Sequence, residues 1–149
     1  MISQIRFARS EDLTGVRRLY KELRPNDPAL SPDDAAANWN NVLSQSHIRM
    51  VVAEQDGVLA STCMLAVIAN FASGSRPLGL IEHVITLPQF RGRRLGHAVM
   101  QYALEFAWSQ NCCKVMLLSG AQRGEAHRFY ESLGFRGDVE RGFVIKPTK

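Results

Sequence analysis

The sequence predicts a mixed fold of the α/β (α+β) class, in one domain that spans residues 1–149. Two observations favour this class. Along the chain, the spacing of the apolar residues alternates between the spacing typical of strands and the spacing typical of helices. The predicted order is strand, two helices, three strands, helix, strand, helix and strand. The length is also close to the size of one domain, about 100–150 residues, and 46% of the residues are hydrophobic, which is enough for one core.

Composition excludes several other classes. No run of about 18 apolar residues is present, so no membrane-spanning helix is predicted. The first residues lack the apolar stretch of a secretory signal. Cys63, Cys112 and Cys113 are an odd number of cysteines without metal-ligand spacing. They predict free thiols in a reducing cytoplasm and no metal site.

The positive charge is concentrated in one place. The formal net charge is +4, and Arg91, Arg93 and Arg94 supply three of these charges within four residues. The remainder of the chain is therefore close to neutral. This distribution predicts a local anion site rather than a broad nucleic-acid surface.

A strand and two helices are predicted first. Ile5 and Phe7 alternate with their neighbours, as in a strand. Ser10 is expected to cap the first helix, and Ser31 followed by Pro32 predicts the start of the second. The first helix turns inward Leu13, Val16, Leu19, Tyr20 and Leu23. The second helix turns inward Ala35, Trp39, Val42 and Leu43.

Three strands are predicted next. Residues 48–53 and 58–69 are rich in β-branched and apolar side chains, and the turn Gln55-Asp56-Gly57 between them is typical of a hairpin. A third strand, residues 78–87, ends before Pro88.

The last predicted elements alternate. A helix from Arg93 to Ser109 is followed by a short buried strand at residues 115–118. A final helix ends at Gly134, which is well suited to the position after a helix terminus. Residues 143–145 are expected to form a closing strand. The inward residues of the two helices are Leu95, Val99, Ala103 and Phe106, then Ala126, Phe129, Tyr130 and Leu133.

The turn before the Arg93–Ser109 helix has the chemistry of a phosphate site. Backbone N–H groups at a helix N-terminus are unpaired and favour an anion. Gly92 and Gly96 let the backbone approach an anion closely, and the arginines add charged donors. The spacing fits neither a Walker loop nor the dinucleotide fingerprint. A solvated basic turn is the alternative interpretation.

This turn resembles the coenzyme A pyrophosphate loop of the GCN5-related N-acetyltransferases (GNAT), Arg/Gln-x-x-Gly-x-Gly/Ala. Arg91, Arg94 and Gly96 occupy its first, fourth and sixth positions, and Gly92 is the glycine that is common at its second position. Arg94 replaces the usual glycine, a change we expect to be tolerated because the donor there is mainly the backbone.

Segments on both sides of the loop resemble the same family. Residues 79–86 are similar to its fourth strand, with His83 in place of an aspartate, and residues 113–118 to its fifth strand. Residues 126–135 resemble its Phe-Tyr-Glu-x-x-Gly-Phe helix. The resemblance implies the GNAT fold, in which a central mixed, mostly antiparallel sheet splays between strands four and five and about four helices flank it.

The resemblance also implies a reaction, the direct transfer of an acetyl group from acetyl-CoA to an amine. Tyr130 is expected to be the general acid for the thiolate, and Glu82 the general base. As alternatives, Tyr130 is a core aromatic residue, and Glu82 is a structural carboxylate at a strand bulge or a substrate-binding residue. The residues implied to bind acetyl-CoA are Val84, Ile85, Thr86, Arg91, Gly92, Arg93, Arg94, Leu95 and Gly96.

Other polar residues are weaker candidates. Strand alternation is expected to place His83 on the face opposite Glu82. His127 is expected to lie on the exposed side of its helix. Ser119 could contact the cofactor, although an ordinary strand-end role is favoured. Cys112 and Cys113 are disfavoured as nucleophiles, because direct transfer needs no acyl-enzyme.

The acceptor is expected to be a small molecule with an amine and an anionic group, because Arg24, Asp27 and Arg76 lie in the segments that select acceptors in this family. A peptide amine is the alternative. A non-catalytic CoA-binding regulatory or interaction module is the rival function, and a nucleic-acid-binding protein is a weaker one. A homodimer is also expected, and residues 143–145 are either its interface strand or an internal strand.

Overall fold

A computed structural model describes residues 3–148 and confirms the mixed class. Its strands are β1 (Ser3–Phe7), β2 (Ile48–Gln55), β3 (Val58–Ile68), β4 (Leu78–Thr86) and β5 (Lys114–Met116). Its helices are α1 (Leu13–Leu23), α2 (Pro32–Ser44), α3 (Leu95–Ser109) and α4 (Gly124–Ser132). Three short 3-10 turns lie at Ser10–Asp12, Ser73–Ser75 and Pro88–Phe90.

The chain divides into two compact units, one that ends at Met116 and one that begins at Leu117. The first unit contains the whole sheet and α1 to α3, and the second contains α4. That residues 1–149 act as one domain stays a prediction. Within the described residues no helix is long and apolar enough to cross a membrane.

The five strands form one sheet in the order β1-β2-β3-β4-β5. All neighbours are antiparallel except β4 and β5, which are parallel. The parallel pair covers only Leu78–Leu80 of β4, against Lys114–Met116. No strand of the described chain pairs with β4 on that side beyond Leu80, so the implied splay between the fourth and fifth strands is confirmed.

Helices cover both faces of the sheet. On one face Val16 of α1 and Trp39 of α2 pack in a cluster with Met50 and Val52 of β2. On the other face Phe7 of β1 makes edge contacts with two aromatic rings of α3, at centroid distances of 5.1 and 5.2 Å. Alternation along the strands supplies apolar side chains to both faces, which accounts for the buried runs in β2 and β3.

The predicted cap at Ser10 is wrong: the residue before α1 is Asp12, and its side chain makes no cap hydrogen bond to the helix. Ser10 lies in a 3-10 turn, and the Asp12 carboxylate accepts the backbone N–H of Arg9 at 2.7 Å. The same carboxylate accepts two hydrogen bonds from the Arg6 guanidinium, at 2.7 and 3.1 Å. A carboxylate held by an arginine is a stronger acceptor than a hydroxyl group, so it decides how the chain enters α1.

Two other predicted helix ends are confirmed. The Ser31 hydroxyl accepts the backbone N–H of Asp34 at 3.1 Å and caps α2. Gly134 follows α4 with φ +98, in the left-handed region that glycine adopts without penalty.

The closing strand predicted at residues 143–145 is wrong. These residues have no regular secondary structure, and Phe143, Val144 and Ile145 are 86%, 69% and 96% exposed. A short strand forms only when a neighbouring strand completes its hydrogen bonds, and residues 143–145 pair with no strand within residues 3–148.

The Arg6–Asp12 ion pair generates a prediction about acid stability. Both side chains are nearly buried, with 11% and 7% exposed. Burial raises the pKa of Asp12, but the hydrogen bonds from Arg6 and from the Arg9 backbone outweigh it, so the pKa lies below its usual value. The carboxylate therefore stabilises the fold above its unfolded-state pKa of about 3.9, and loses that contribution as the pH falls through the lower folded-state pKa.

We expect Asp12→Asn to lower the free energy of unfolding at pH 7 by about 1.5–3 kcal/mol, because the Arg6 guanidinium loses one of its two carboxylate partners and keeps only Glu54 at 3.0 Å. Urea unfolding between pH 7 and pH 3 is the measurement, and the difference between variant and wild type should shrink toward pH 3. Asp27→Asn is the control, since its ion pair with Arg24 is half exposed. A constant difference across this pH range would contradict the prediction.

Candidate active site

β4 contains a β-bulge at His83. Glu82 pairs with Met64 of β3, and Ile85 pairs with Thr62, so two residues of β4 stand opposite one residue of β3. His83 has φ +55, in the left-handed region that is uncommon for residues other than glycine. Bulges re-aim side chains and are frequent beside active sites.

The bulge changes which side chains share a face, so the predicted separation of Glu82 and His83 is wrong. Glu82 is paired with Met64, which packs against the cluster formed by α1 and α2. The His83 ring also faces α1, with its centroid 5.3 Å from that of Tyr20. The extra residue breaks the two-residue alternation on which the prediction depended.

Glu82 is half-buried and lies near the end of α1. The pKa of Arg24 is raised, first by its hydrogen bond to Asp27 at 2.7 Å and, more weakly, by the charge of Glu82. Arg24 is therefore paired with Asp27 and also lies within the electrostatic range of Glu82. A half-buried carboxylate in this position can accept a proton directly or through one water molecule.

The end of β4 presents an open backbone edge. Val84, Ile85 and Thr86 lie beyond the last pair with β5. From the β3 side, Ser61 fixes this segment: its hydroxyl donates to the carbonyl of Ile85 at 3.1 Å and lies 2.8 Å from the hydroxyl of Thr86. An extended ligand can add to such an edge as a strand would.

A tight turn connects this edge to α3. Gly92 has φ +78, and Arg94, the residue before the helix, has φ +60 and ψ 22. Phe90 and Leu95 are buried on either side of the turn and fix both of its ends. The side chain of Arg94 makes no cap hydrogen bond to α3, so the N–H groups of the first turn of the helix are available to an anion.

The helix begins at Leu95 rather than at the predicted Arg93. The left-handed backbone of Arg94 cannot continue a right-handed helix, and it therefore fixes the start of α3. A left-handed residue at this position also explains why a glycine is usual there. Gly96 lies in the first turn of α3, where it has no side chain to cover the N–H groups.

The arginine side chains of the turn are exposed and differ in their contacts. Arg91 donates from Nε to the carbonyl of Thr86 at 3.3 Å, and its Nη2 is 4.0 Å from a carboxylate oxygen of Glu22. The Arg93 guanidinium lies over the ring of Phe90 at 5.1 Å. Arg91 thus contacts one of the carbonyl groups on the open edge of β4.

Tyr130 belongs to the second unit and lies on α4. Its ring is 5.3 Å from that of Phe129 and 6.1 Å from that of Phe135, in both cases edge to face. The turn at Gly134 brings Phe135 back, and its backbone N–H donates to the carbonyl of Tyr130 at 3.1 Å. These aromatic contacts fix the orientation of the ring.

His127 and Ser119, the two weaker candidates in the second unit, differ in their contacts. Nε2 of His127 lies 2.8 Å from the carbonyl oxygen of Gly120, a contact that ties α4 to the segment before it. The hydroxyl oxygen of Ser119 is buried and has no hydrogen-bond partner within residues 3–148.

The cysteines differ in burial, and none is in a disulfide. Burial raises the pKa of Cys63 to about 12 and also raises that of Cys112, while Cys113 is half-buried. A thiol with a raised pKa is a poor nucleophile at neutral pH. Among the described residues, no group of three or more His, Cys, Asp or Glu side chains is placed to hold a metal ion.

Sequence reasoning missed a cleft between α1 and the turn after β4, with a volume of ≈ 360 Å³. Its only signal is the spacing of Arg18, Lys21 and Glu22, which places three charged side chains on one side of α1. It also missed the contact between Tyr20 and His83, which depends on the bulge.

Comparison with known proteins agrees with this geometry. The model of the Acetyltransferase (GNAT) family matches residues 14–135. A glucosamine 6-phosphate N-acetyltransferase of Trypanosoma brucei brucei is 36% identical over 80 residues, which are 54% of this chain and 52% of that protein. The chain thus spans about half the length of this curated relative.

Solved structures match over nearly the whole chain. A protein of Agrobacterium tumefaciens str. C58 that is assigned as an acetyltransferase is 38% identical, with a TM-score of 0.92 over 97% of this chain and 99% of that one. An aminoglycoside N-acetyltransferase solved in complex with CoA is 23% identical, with a TM-score of 0.82 over 98% of this chain and 95% of that one. At this identity the second match shows the fold alone.

The left-handed backbone of Arg94 generates a prediction. Replacing it with glycine should raise the free energy of unfolding by about 0.5–1 kcal/mol, because glycine adopts this conformation without the penalty of a Cβ. Arg94→Ala keeps the Cβ and should give no increase. Urea unfolding measures the free energy of unfolding of both variants, which are compared at the same dependence of that free energy on urea concentration. Equal stabilities of the glycine and alanine variants would show that the backbone of Arg94 carries no strain.

Proposed function

The chain belongs to the GNAT acetyltransferase family, and from this premise we propose that it transfers the acetyl group of acetyl-CoA directly to the amine of a small molecule. One observation carries the proposal: the open edge of β4 continues, within a few residues, into the uncapped N-terminus of α3. An extended arm that ends in a pyrophosphate suits these two consecutive sets of backbone groups.

The cofactor-binding residues follow from this arrangement. The backbone of Val84, Ile85 and Thr86 would hold the extended arm, and the turn and first helical residues would hold the pyrophosphate. The residues of this turn and of the start of α3 are Arg91, Gly92, Arg93, Arg94, Leu95 and Gly96. Acetyl-CoA supplies an acetyl group activated as a thioester. Available N–H groups, a left-handed turn and exposed arginines support this assignment.

Arg91 changes partner in this proposal. In the structure it contacts the Thr86 carbonyl and lies near Glu22. Both contacts are solvent-exposed and therefore weak, so a pyrophosphate competes well for the guanidinium. The side chain is long enough to turn toward the loop without any change in the backbone.

Two side chains would move protons. Glu82 would accept a proton from the acceptor ammonium, directly or through water, which frees the lone pair that attacks the thioester carbon. As the C–N bond forms and the C–S bond breaks, Tyr130 would donate a proton to the departing thiolate, and its phenolate would then take up the proton that the new amide nitrogen must lose. The half-buried position of Glu82 beside Arg24 supports the first role, and the fixed orientation of the Tyr130 ring supports the second.

The acceptor proposed here carries both an amine and an anionic group. Arg24 and Glu82 together offer a cation and a carboxylate near the end of α1, which suits such a molecule. The name of the Trypanosoma relative, a glucosamine 6-phosphate N-acetyltransferase, points to the same chemistry. We therefore propose an amino sugar phosphate or a similar compound.

The proposal also includes a homodimer in the cytoplasm, with no nucleic acid or membrane partner. Exposed apolar side chains at residues 143–145 support self-association. The three free cysteines support a reducing compartment. Gel filtration with light scattering tests the dimer, and deletion of residues 143–148 should give a monomer.

Cofactor binding is tested first, by thermal unfolding with and without acetyl-CoA. At about 100 times its dissociation constant the ligand should stabilise the protein by about 2.7 kcal/mol, which raises Tm by several degrees. Arg91→Glu should lose most of this shift, because it replaces a cation beside the pyrophosphate with an anion. Arg9→Glu is the matched control outside the loop. No shift at millimolar acetyl-CoA would remove the basis of the proposal.

The two proton-transfer roles are tested by turnover. Tyr130→Phe and Glu82→Gln should each lower kcat by about 10²-fold with little change in the dissociation constant of acetyl-CoA. Tyr102→Phe is the control, since this tyrosine contacts Phe7 under the sheet. If both variants release thiol at the rate of the wild type, other groups of the protein carry out the proton transfers. Binding of CoA without turnover on any amine would favour the rival function, a non-catalytic CoA-binding module.

A further inference from the structure

The cleft between α1 and the turn after β4 is large enough to hold part of a ligand. Its volume is ≈ 360 Å³. The side chains that line it come from one face of α1 and from the three residues that follow β4. They are Arg18, Lys21, Glu22, Leu87, Pro88 and Gln89.

Both walls of the cleft are fixed by core packing. Leu87 is buried, and its N–H donates to the carbonyl of Ala60 in β3 at 2.8 Å. Phe90 is also buried and closes the turn with a hydrogen bond to the Leu87 carbonyl at 2.9 Å. On the other wall, Val16 and Leu19 anchor α1 in the core. The cleft is therefore preformed, and a ligand would not need to order it.

The cations of α1 differ in whether they have partners. Arg17 donates to a backbone carbonyl of the segment after α1 at 3.0 Å, and Arg24 is hydrogen-bonded to Asp27. Arg18 and Lys21, which face the cleft, have no carboxylate within 4.0 Å in residues 3–148. The two cations on the cleft wall are thus the ones available to an anion.

The charged groups of the cleft give it a positive balance. Glu22 is its one carboxylate among the described lining residues, and Arg18 and Lys21 are its two cations. Gln89 supplies an amide that can donate a hydrogen bond. The cleft lies only two residues before Arg91 along the chain, so it adjoins the turn proposed to hold the pyrophosphate.

We propose that this cleft is a second phosphate site, separate from the turn at residues 91–96, and that Arg18 and Lys21 hold the phosphate. Two compounds could bring such a group. One is the cofactor, which carries a phosphate on its ribose, and the other is a phosphorylated acceptor. The identity of the phosphate rests on the proposed function, but the existence of the site does not.

The first experiment compares CoA with dephospho-CoA, which lacks the ribose phosphate, by isothermal titration calorimetry. If the cofactor fills the cleft, the wild type should bind CoA about tenfold more tightly, as expected for two partly exposed charge contacts. Arg18→Gln/Lys21→Gln should bind both compounds equally. Arg9→Gln/Arg17→Gln removes the same charge from outside the cleft and should keep the preference.

The second experiment compares glucosamine 6-phosphate with glucosamine as acceptors, on the same three proteins. If the acceptor fills the cleft, the wild type should show a KM about tenfold lower for the phosphorylated amine. The Arg18→Gln/Lys21→Gln variant should lose this difference in KM. Added salt should reduce the preference of the wild type, because the contacts are exposed.

The outcomes separate the site from the proposed function. A preference that is lost only in the cleft variant, in either experiment, supports the site and identifies its phosphate. A cleft variant that discriminates as well as the wild type in both experiments overturns it. If the wild type binds no CoA, the proposed function fails, and inorganic phosphate is then titrated against the backbone NMR signals of residues 18, 21 and 87–89. Signals that move in the wild type but not in the cleft variant support the site, and signals that stay in place overturn it.

Discussion

The unequal pairing of β4 is the constraint on which the rest of the architecture depends. β3 pairs with it from Leu78 to Thr86, whereas β5 pairs only with Leu78–Leu80. An edge of unpaired N–H and C=O groups inside a protein costs free energy unless another group completes the hydrogen bonds. The N-terminus of α3 carries the same kind of unpaired donors. Because only a short turn separates these two sets of groups, one elongated ligand can satisfy both.

The bulge in β4 determines which side chains meet that ligand. Without it, the side chains of Glu82 and His83 would lie on opposite faces of the sheet. The extra residue brings both toward α1, where His83 packs against Tyr20. The pairing of β4 with β3 resumes at Ile85. The left-handed conformations of His83 and Arg94 place the two local departures from regular structure at the start and the end of the proposed cofactor site. The cost of such backbone, about 1–3 kcal/mol for each residue, is offset by the packing of the surrounding core.

Most of the fold could be predicted, because its elements carry local signals. The Ser31 cap, the Asp-Gly hairpin and the apolar stripe of α3 each depend on residues close together in sequence. The failures involve partners that are distant in sequence. Arg6 displaced Ser10 as the determinant of the α1 start by binding Asp12, and residues 143–145 would have needed a strand partner. The loop at residues 91–96 was predictable from its composition, but the bulge was not, since it appears only in the register between β3 and β4.

The charges along α1 connect the two ends of the proposed site. Arg18 and Lys21 face the cleft beside the turn, and Arg24 lies near Glu82. Arg18 and Leu23, the last residue of α1, are five residues apart, which is about 7.5 Å along a helix. A single helix, anchored by Val16 and Leu19, therefore separates the proposed phosphate site in the cleft from Arg24, which follows the helix. Any ligand that contacts both ends must match this length, so α1 would contribute to selecting the ligand by distance as well as by charge.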